Sequence, residues 1–318
     1  MNTQTLNLLI AFCATVVVGM IVVPILKKHK VGQVVREDGP KSHLSKNGTP
    51  VMGGIMMIIV SVVILGIYAM QYHELLLAII AILGFGIIGF IDDYKKLVLK
   101  NTEGLSPKKK MLGLILVTII FIVVYLKVFH LGTETIIPFF NQPVALTLPV
   151  FVLFMAFILL ATSNAVNLTD GLDGLAAGVV AIIMSFFTLV AIKNGEKDMI
   201  IFGATMVGTC IGFLLFNFHP AKVFMGDTGS LALGGAVAAI ALIMKMPLYL
   251  AVVALVCIID TLSVILQVLY FKMTKGKRLF KMAPFHHHLE LSGMKETKVV
   301  ILFWAITAIC CAVAYFVL

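Results

Sequence analysis

The sequence predicts an all-α integral membrane protein of about ten transmembrane helices, forming a single polytopic unit over residues 1–318. Its composition is 61% hydrophobic and 12% charged, with a mean hydropathy of +1.10. A soluble domain averages about 45–50% apolar and about 25% charged residues. Half the usual charge leaves too little polar surface to coat a water-soluble globule, so lipid has to be the solvent. Apolar runs of spanning length recur along the whole chain, and Lys and Arg concentrate in alternate connections between them.

A spanning helix needs about 20 largely apolar residues. The first run that qualifies is 5–26. It lacks a basic leader and a small-residue cleavage site, so it reads as an anchor rather than a signal peptide. A basic stretch separates it from 51–71, and a short polar turn then precedes 75–91. The next runs are 111–131, 147–163, 174–192 and 199–217. The last three are 229–245, 247–271 and 298–318. The eighth and ninth are divided only by Lys245 and Pro247, but joined they would be far too long to span. The five cysteines all lie inside apolar runs without CxxC spacing, which fits small packing residues rather than a redox or zinc site.

Orientation follows from the basic residues. The connections 27–50, 92–110, 164–173, 218–228 and 272–298 hold six, six, none, one and seven of them. The alternate connections hold only Lys127, Lys193, Lys197 and Lys245. The first set is therefore expected in the cytoplasm and both termini outside. Most of the net charge of +9 then faces the anionic inner leaflet, where a juxtamembrane basic residue is worth about 1 kcal/mol. Charge dispersed between spans argues against nucleic acid as a partner.

Four polar clusters fall on the side expected to be cytoplasmic. In Asp92-Asp93-Tyr94-Lys95-Lys96, two adjacent carboxylates repel and call for a cation. Magnesium, held by one or two carboxylates and substrate phosphates, is the usual one. The plainer reading is a helix end with snorkelling lysines. In the stretch Asn164–Gly174, the spacing of Asn167, Asp170 and Asp173 by three puts them on one face of a helical turn, with no basic residue nearby. The plainer reading there makes Asp173 an N-cap. In Asn217–Ser230, Asp227 sits between Gly226 and Gly229 at the start of an apolar run. That suits either a simple cap or a metal-phosphate complex at a helix N-terminus. In Pro284-Phe285-His286-His287-His288-Leu289-Glu290, a helix would splay the three histidines, whereas an extended segment would point His286 and His288 one way to donate to phosphate oxygens. Asp260, inside the ninth run, is an ionisable group where one is costly. It is expected to line a lipid groove or to pair with a polar neighbour such as Ser263 or Gln267.

Together these residues resemble the polyprenyl-phosphate N-acetylhexosamine-1-phosphate transferase superfamily, and most closely the phospho-N-acetylmuramoyl-pentapeptide transferase (MraY) family. The resemblance runs from Lys41–Gly54 to Trp304 and is most specific at Asp92–Lys96, Asn164–Gly174, Phe224–Ser230 and Met282–Glu290. It implies a ten-helix fold, usually a homodimer, with a cytoplasmic cleft. The implied reaction moves phospho-MurNAc-pentapeptide from UDP-MurNAc-pentapeptide onto undecaprenyl phosphate, giving lipid I and UMP. It further implies that Asp227 binds Mg2+ beside Asp92 and Asp93. Lys46, Asn167, Asp170, Asp173, Asn217 and Phe224 would surround the uridine end, with Phe224 supplying a stacking face. Lys96, Lys108, Gln267 and His286, His287 and His288 would line the phosphate and sugar-peptide part. The catalytic set is then Asp92, Asp93, Asp227 and His286, with Asp92 the expected base for the carrier phosphate. Two departures stand out: Val51 replaces a Thr, and Asp260 replaces a Glu. The nearest competing readings are a sister transferase using UDP-N-acetylglucosamine and a secondary transporter. Against the transporter, the polar clusters gather at one membrane face and the sequence carries no inverted repeat.

Overall fold

The computed structural model describes residues 3–28, 46, 48–97, 99, 104–138, 140 and 142–318. The Lys41–Ser45 start of the resemblance and parts of the connections 27–50, 92–110 and 132–146 lie outside the described residues. The helices are α1 (Thr3–Lys28), α2 (Gly54–Ala69), α3 (Leu75–Leu97), α4 (Pro107–Val123), α5 (Leu148–Thr169), α6 (Leu175–Asn194), α7 (Lys197–Asn217), α8 (Gly226–Ile243), α9 (Leu250–Val253), α10 (Leu255–Met273), α11 (Phe285–Leu291) and α12 (Glu296–Val317). Nine described helices are long and apolar enough to cross a membrane, as an integral membrane protein requires. The tenth expected span, α2, has 16 residues, about 24 Å at 1.5 Å per residue, against a hydrocarbon core of about 30 Å. Its outer face is still apolar, with Ile59, Val63 and Ile67 exposed.

The all-α class holds, and one connection adds a short antiparallel hairpin, in which Glu134–Ile137 pairs with Gln142–Ala145, Glu134 opposite Ala145 and Ile137 opposite Gln142. One other expectation needs correcting. The run 75–91 does not stop before its acidic pair. It continues to Leu97, because the buried stripe Phe85, Gly89, Asp92, Asp93 keeps helical spacing. Lys96 is then one turn beyond Asp92, close enough to neutralise it. The division between the eighth and ninth runs holds. It comes at Lys245, with φ of 57°, followed by a 3₁₀ turn at Pro247–Tyr249 and the short α9.

Helix α8 is the centre of the bundle. In its apolar window 89% of residues are buried, against 22% for α1 and α10 at the periphery. Lipid tails are as apolar as leucine, so helices in a bilayer associate by close packing of small residues. Helix α8 supplies these as Gly229, Ala232, Gly234, Gly235, Ala236, Ala238 and Ala239. Two approaches set the site. A Cβ at Gly54 would lie 2.1 Å from Gly229 Cα, and one at Gly89 would lie 2.1 Å from the Asp227 carbonyl oxygen. Only hydrogen fits at either place. The segment before α2 is also laced to the one before α8: Phe224 N–H donates to Pro50 O at 2.8 Å, Gly53 N–H to Phe224 O at 2.8 Å and Gly54 N–H to Met225 O at 3.0 Å.

Gly89→Ala is therefore expected to force α3 away from α8 and to destabilise by about 1–3 kcal/mol, the usual cost of overpacking. Thermal unfolding of the detergent-solubilised protein reads this, and an unchanged Tm would mean that the approach is looser than described.

Candidate active site

Three groups of polar side chains lie at the end of α3, the turn after α5, the start of α8 and the contact of α11 with α10. The first joins α3 to α8. Asp93 accepts the backbone N–H groups of Asp227 at 3.2 Å and Thr228 at 2.9 Å, and the Thr228 hydroxyl at 2.6 Å. It thus satisfies first-turn amides that helix α8 cannot satisfy itself. Asp227 then presents its carboxylate outward. Its Oδ2 receives Lys110 Nζ at 2.8 Å and Lys96 Nζ at 3.2 Å, and its Oδ1 accepts from Asn167 Nδ2 at 2.9 Å. Asn167 also donates to Ser230 Oγ at 2.8 Å. Asp92 anchors the loop before α4 by accepting Leu105 N–H on Oδ1 at 2.7 Å. Its Oδ2 lies 2.5 Å from Lys96 Nζ yet accepts no well-directed hydrogen bond. One ammonium therefore touches both Asp92 and Asp227, across 135 positions of sequence.

The second group surrounds Asp173. Its Oδ1 is 2.7 Å from Lys46 Nζ, and its Oδ2 takes His219 Nδ1 at 3.0 Å and Ala221 N–H at 3.0 Å. Glu296, which opens α12, holds the same lysine at 2.5 Å and the Asp173 N–H at 2.9 Å. One ligand atom from each of Asp173, His219 and Glu296 lies within 4.8 Å of the others, and the Lys46 ammonium is the cation beside two of them. Asn217 ties this group to the chain before α8, its Oδ1 accepting Gly174 N–H at 2.9 Å and its Nδ2 donating to Val223 O at 3.0 Å. The half-buried Phe224 follows directly. The third group is His286 of α11 against Asp260 of α10, at 2.8 Å with both side chains fully buried.

A match to the family described as glycosyl transferase family 4 covers residues 75–245, the stretch holding Asp92, Asp93, Asn167, Asp173 and Asp227. The chain is 50% identical over 312 residues to the phospho-N-acetylmuramoyl-pentapeptide-transferase of Acetivibrio thermocellus, covering 98% of this chain and 94% of that protein. It belongs to the phospho-N-acetylmuramoyl-pentapeptide transferase family. The like-named protein of Caldanaerobacter subterraneus subsp. tengcongensis is 46% identical over 97% of this chain and 96% of its own length. That of Bacillus subtilis is 46% identical over 94% of this chain and 93% of its own.

Several local readings of the sequence need correcting. Asn167, Asp170 and Asp173 do not share one helical face. Helix α5 ends at Thr169, Asp170 turns out of it at φ −80° and ψ 47°, and Asp173 faces a different partner set from Asn167. Nor is Asp173 a cap, since the N-cap of α6 is Gly174. The histidine run is helical, not extended, and its rings diverge. His287 Nδ1 pairs with Glu290 Oε2 at 2.8 Å, and His288 accepts Lys281 N–H at 3.2 Å while stacking on Phe285. Gln267 braces the following loop, accepting Leu279 and Phe280 N–H at 2.9 Å each and donating to Phe280 O at 3.0 Å. Asp260 pairs through its side chain with His286; Ser263 only donates to its carbonyl.

Within the 108–110 run, sequence reasoning singled out Lys108 and missed the lysine that meets Asp227. Lys108 is exposed, while Lys110 lies in register with Leu114, Val117, Thr118 and Phe121, the buried stripe of α4. That register was there to be read once Pro107 fixed the helix start. Glu296 was missed the same way, in register with Val299, Val300 and Phe303. For His219, before Pro220, no periodic signal existed.

Burial pushes the Asp170 carboxyl well above the usual carboxylate range, and the negative charges of Asp227, Asp93 and Asp173 push it further. A folded-state pKa above the unfolded one means the folded chain keeps a proton that the unfolded chain has lost. This group's stabilisation is complete below about pH 4, the ordinary carboxylate value, and is lost as pH rises. Asp170→Asn should therefore raise Tm at neutral pH, and the gain should shrink toward pH 4. A gain independent of pH, or none, would count against a strained carboxyl there.

Proposed function

We propose that this protein transfers phospho-MurNAc-pentapeptide from UDP-MurNAc-pentapeptide to undecaprenyl phosphate, yielding lipid I and UMP, at the cytoplasmic face of the bacterial inner membrane and with Mg2+ held by Asp92, Asp93 and Asp227. The relatives' shared name supports the substrate pair, and their coverage spans nearly the whole chain. The observation that carries the metal assignment is that Asp92 and Asp227 share the Lys96 ammonium, with Lys110 also within 3.9 Å of Asp92, because two carboxylates that share a monovalent cation can share a divalent one. Hard oxygen donors at a partly open position suit magnesium, which keeps room for substrate phosphates. The lopsided basic residues, twenty in one set of connections and four in the other, support the cytoplasmic cleft and the outward termini. A homodimer is the proposed assembly.

In this reading an oxygen of the undecaprenyl phosphate attacks the phosphorus next to the sugar. The new P–O bond forms as the bond to the UMP oxygen breaks, and UMP leaves as the anion. Asp92 takes the proton from the attacking phosphate, since its Oδ2 is the buried carboxylate atom without a directed donor. Bound magnesium would neutralise charge on the diphosphate. Lys96 and Lys110 turn from Asp227 to the phosphates and stabilise the charge that grows on the leaving oxygen. Asp93 keeps the start of α8 in register. The Lys46, Asp173, His219 and Glu296 group, with Asn217 and Phe224, accommodates the nucleoside. Asp170 lies at the turn between these two ends.

Purified enzyme given both substrates is expected to release UMP with Mg2+ present and to stop under excess chelator. Asp227→Ala should lower kcat by about a hundredfold or more, and normal turnover by that variant would remove the metal assignment. Faster turnover of UDP-N-acetylglucosamine than of the muramoyl donor would refute the substrate choice. Among the lysines, Lys110→Met should slow transfer more than Lys108→Met, and the reverse order would show that the ion pair to Asp227 does not report on the reaction.

A further inference from the structure

The pair Asp260–His286 is buried more completely than any other charged contact described in the molecule, both side chains having no exposure. Asp260 makes two bonds. Its Oδ2 lies 2.8 Å from His286 Nδ1, and its Oδ1 accepts the His286 backbone N–H at 3.2 Å. An ionised carboxylate only accepts, so the hydrogen between them belongs to Nδ1. In a neutral imidazole that leaves Nε2 without one. Nε2 is itself buried and without a hydrogen-bond partner. Buried polar atoms are almost always paired, so this unpartnered nitrogen calls for a use.

Its position suggests one. A Cβ at Gly171 would lie 2.2 Å from Nε2, so the ring abuts the backbone of the 167–174 turn at a residue with no side chain. That turn carries Asn167, which holds Asp227, and Asp173, which holds Lys46. The nitrogen thus sits behind a short segment that joins the metal-side group to the second group, and a donor group could reach it only if the Gly171 backbone moved. Besides Asp260, the titratable neighbours are His287, whose ring centroid is 4.3 Å away, and Asp170, next to Gly171 in the chain.

We propose that Asp260 is a positioning residue for the transfer reaction: it acts through His286, fixing the Nδ1–H tautomer and holding a bare Nε2 at Gly171 to accept a hydrogen bond from an O–H or N–H group of the sugar-nucleotide donor. The inference rests on the transferase reading above. It asks for no metal and no change in covalent bonding by the pair.

The Asn variant isolates the proton from the fold. In Asp260→Asn the side chain has one acceptor and one donor. The backbone N–H of His286 cannot reverse its role, so the amide oxygen must take it and the amide nitrogen must face Nδ1. That forces the hydrogen onto Nε2 while both contacts survive. A carboxylate that sets a histidine tautomer is known to matter by orders of magnitude in hydrolases. Here Asp260→Asn should keep its Tm yet lose about a hundredfold or more in kcat/KM for UMP release. Asp260→Glu should recover part of the loss. The double variant Asp260→Asn with His286→Gln should be no slower than His286→Gln alone, because Asp260 works only through the ring. Nitrogen-15 shifts of histidine-labelled protein, with His286→Gln as the assignment control, should show His286 as Nδ1–H in the wild type and Nε2–H in Asp260→Asn.

Wild-type kcat/KM in a folded Asp260→Asn protein would overturn the inference, as would an Nε2–H ring in the wild type. If the Asn variant does not fold, the wild-type ring shifts still decide. A wild-type protein that releases no UMP would instead sink the transferase reading, and the ring shifts would judge the tautomer independently.

Discussion

Negative charge gathered at the end of an apolar bundle has to be neutralised before the bundle can close, and the rest of the site follows from how this is done. Asp92, Asp93 and Asp227 lie together where water is scarce, and like charges about 4 Å apart repel by roughly 4 kcal/mol at an effective dielectric of about 20. The chain answers with different devices for each. Asp93 accepts the amides and hydroxyl at the start of α8. Lys96 and Lys110 together compensate Asp227, and Lys96 with the more distant Lys110 compensates Asp92. The two ammonium groups make the folded state tolerable without any bound ion. They are also the groups that a diphosphate would need, so the same charges that permit folding are already in place for the proposed reaction.

This arrangement depends on backbones approaching more closely than ordinary side chains allow. Asp93 reaches the Asp227 and Thr228 amides only because Gly89, one turn earlier on the same stripe, lets α3 lie against the Asp227 carbonyl. Gly54 and Gly229 do the same for α2. Glycine within a helix is unfavourable by about 1 kcal/mol relative to alanine, and a membrane bundle recovers this through packing. The small residues of α8 and the acidic residues of α3 are thus one design: the first set the distance across which the second act.

Much of this was legible in the sequence, and the parts that were not share a cause. Composition and run lengths were enough to give the membrane class and nearly all the spans, because the requirement to satisfy backbone groups in lipid leaves few alternatives. The acidic clusters and the histidine run also stood out, since polar groups are conspicuous in apolar surroundings. What failed was direction. The spacing of Asn167, Asp170 and Asp173 promised one face only if the helix continued, and it ends at Thr169. Lys108 and Lys110 look equivalent until the register of the α4 stripe separates them. Partners were hardest of all: Lys46 meets Asp173 and Glu296 across 127 and 250 positions, and Asp260 meets His286 across 26. No local pattern encodes such pairs, because the bundle that brings them together is set by the packing of other residues.

One consequence concerns how recognition and chemistry would be linked. The Asp227 group and the Asp173 group share no helix; they share the turn from Asn167 to Gly174, and His286 backs that turn at Gly171. Asn167 is fixed on α8 through Ser230, while Asp173 gathers Lys46, the His219 loop and the first turn of α12. A ligand that pulled Lys46 or Glu296 toward itself would therefore load the turn directly and, through Asn167, the carboxylate of Asp227. On the proposed reading, a nucleoside bound at one end would reach the phosphate-handling end through two short stretches of backbone, Asn167–Asp173 and His219–Asp227.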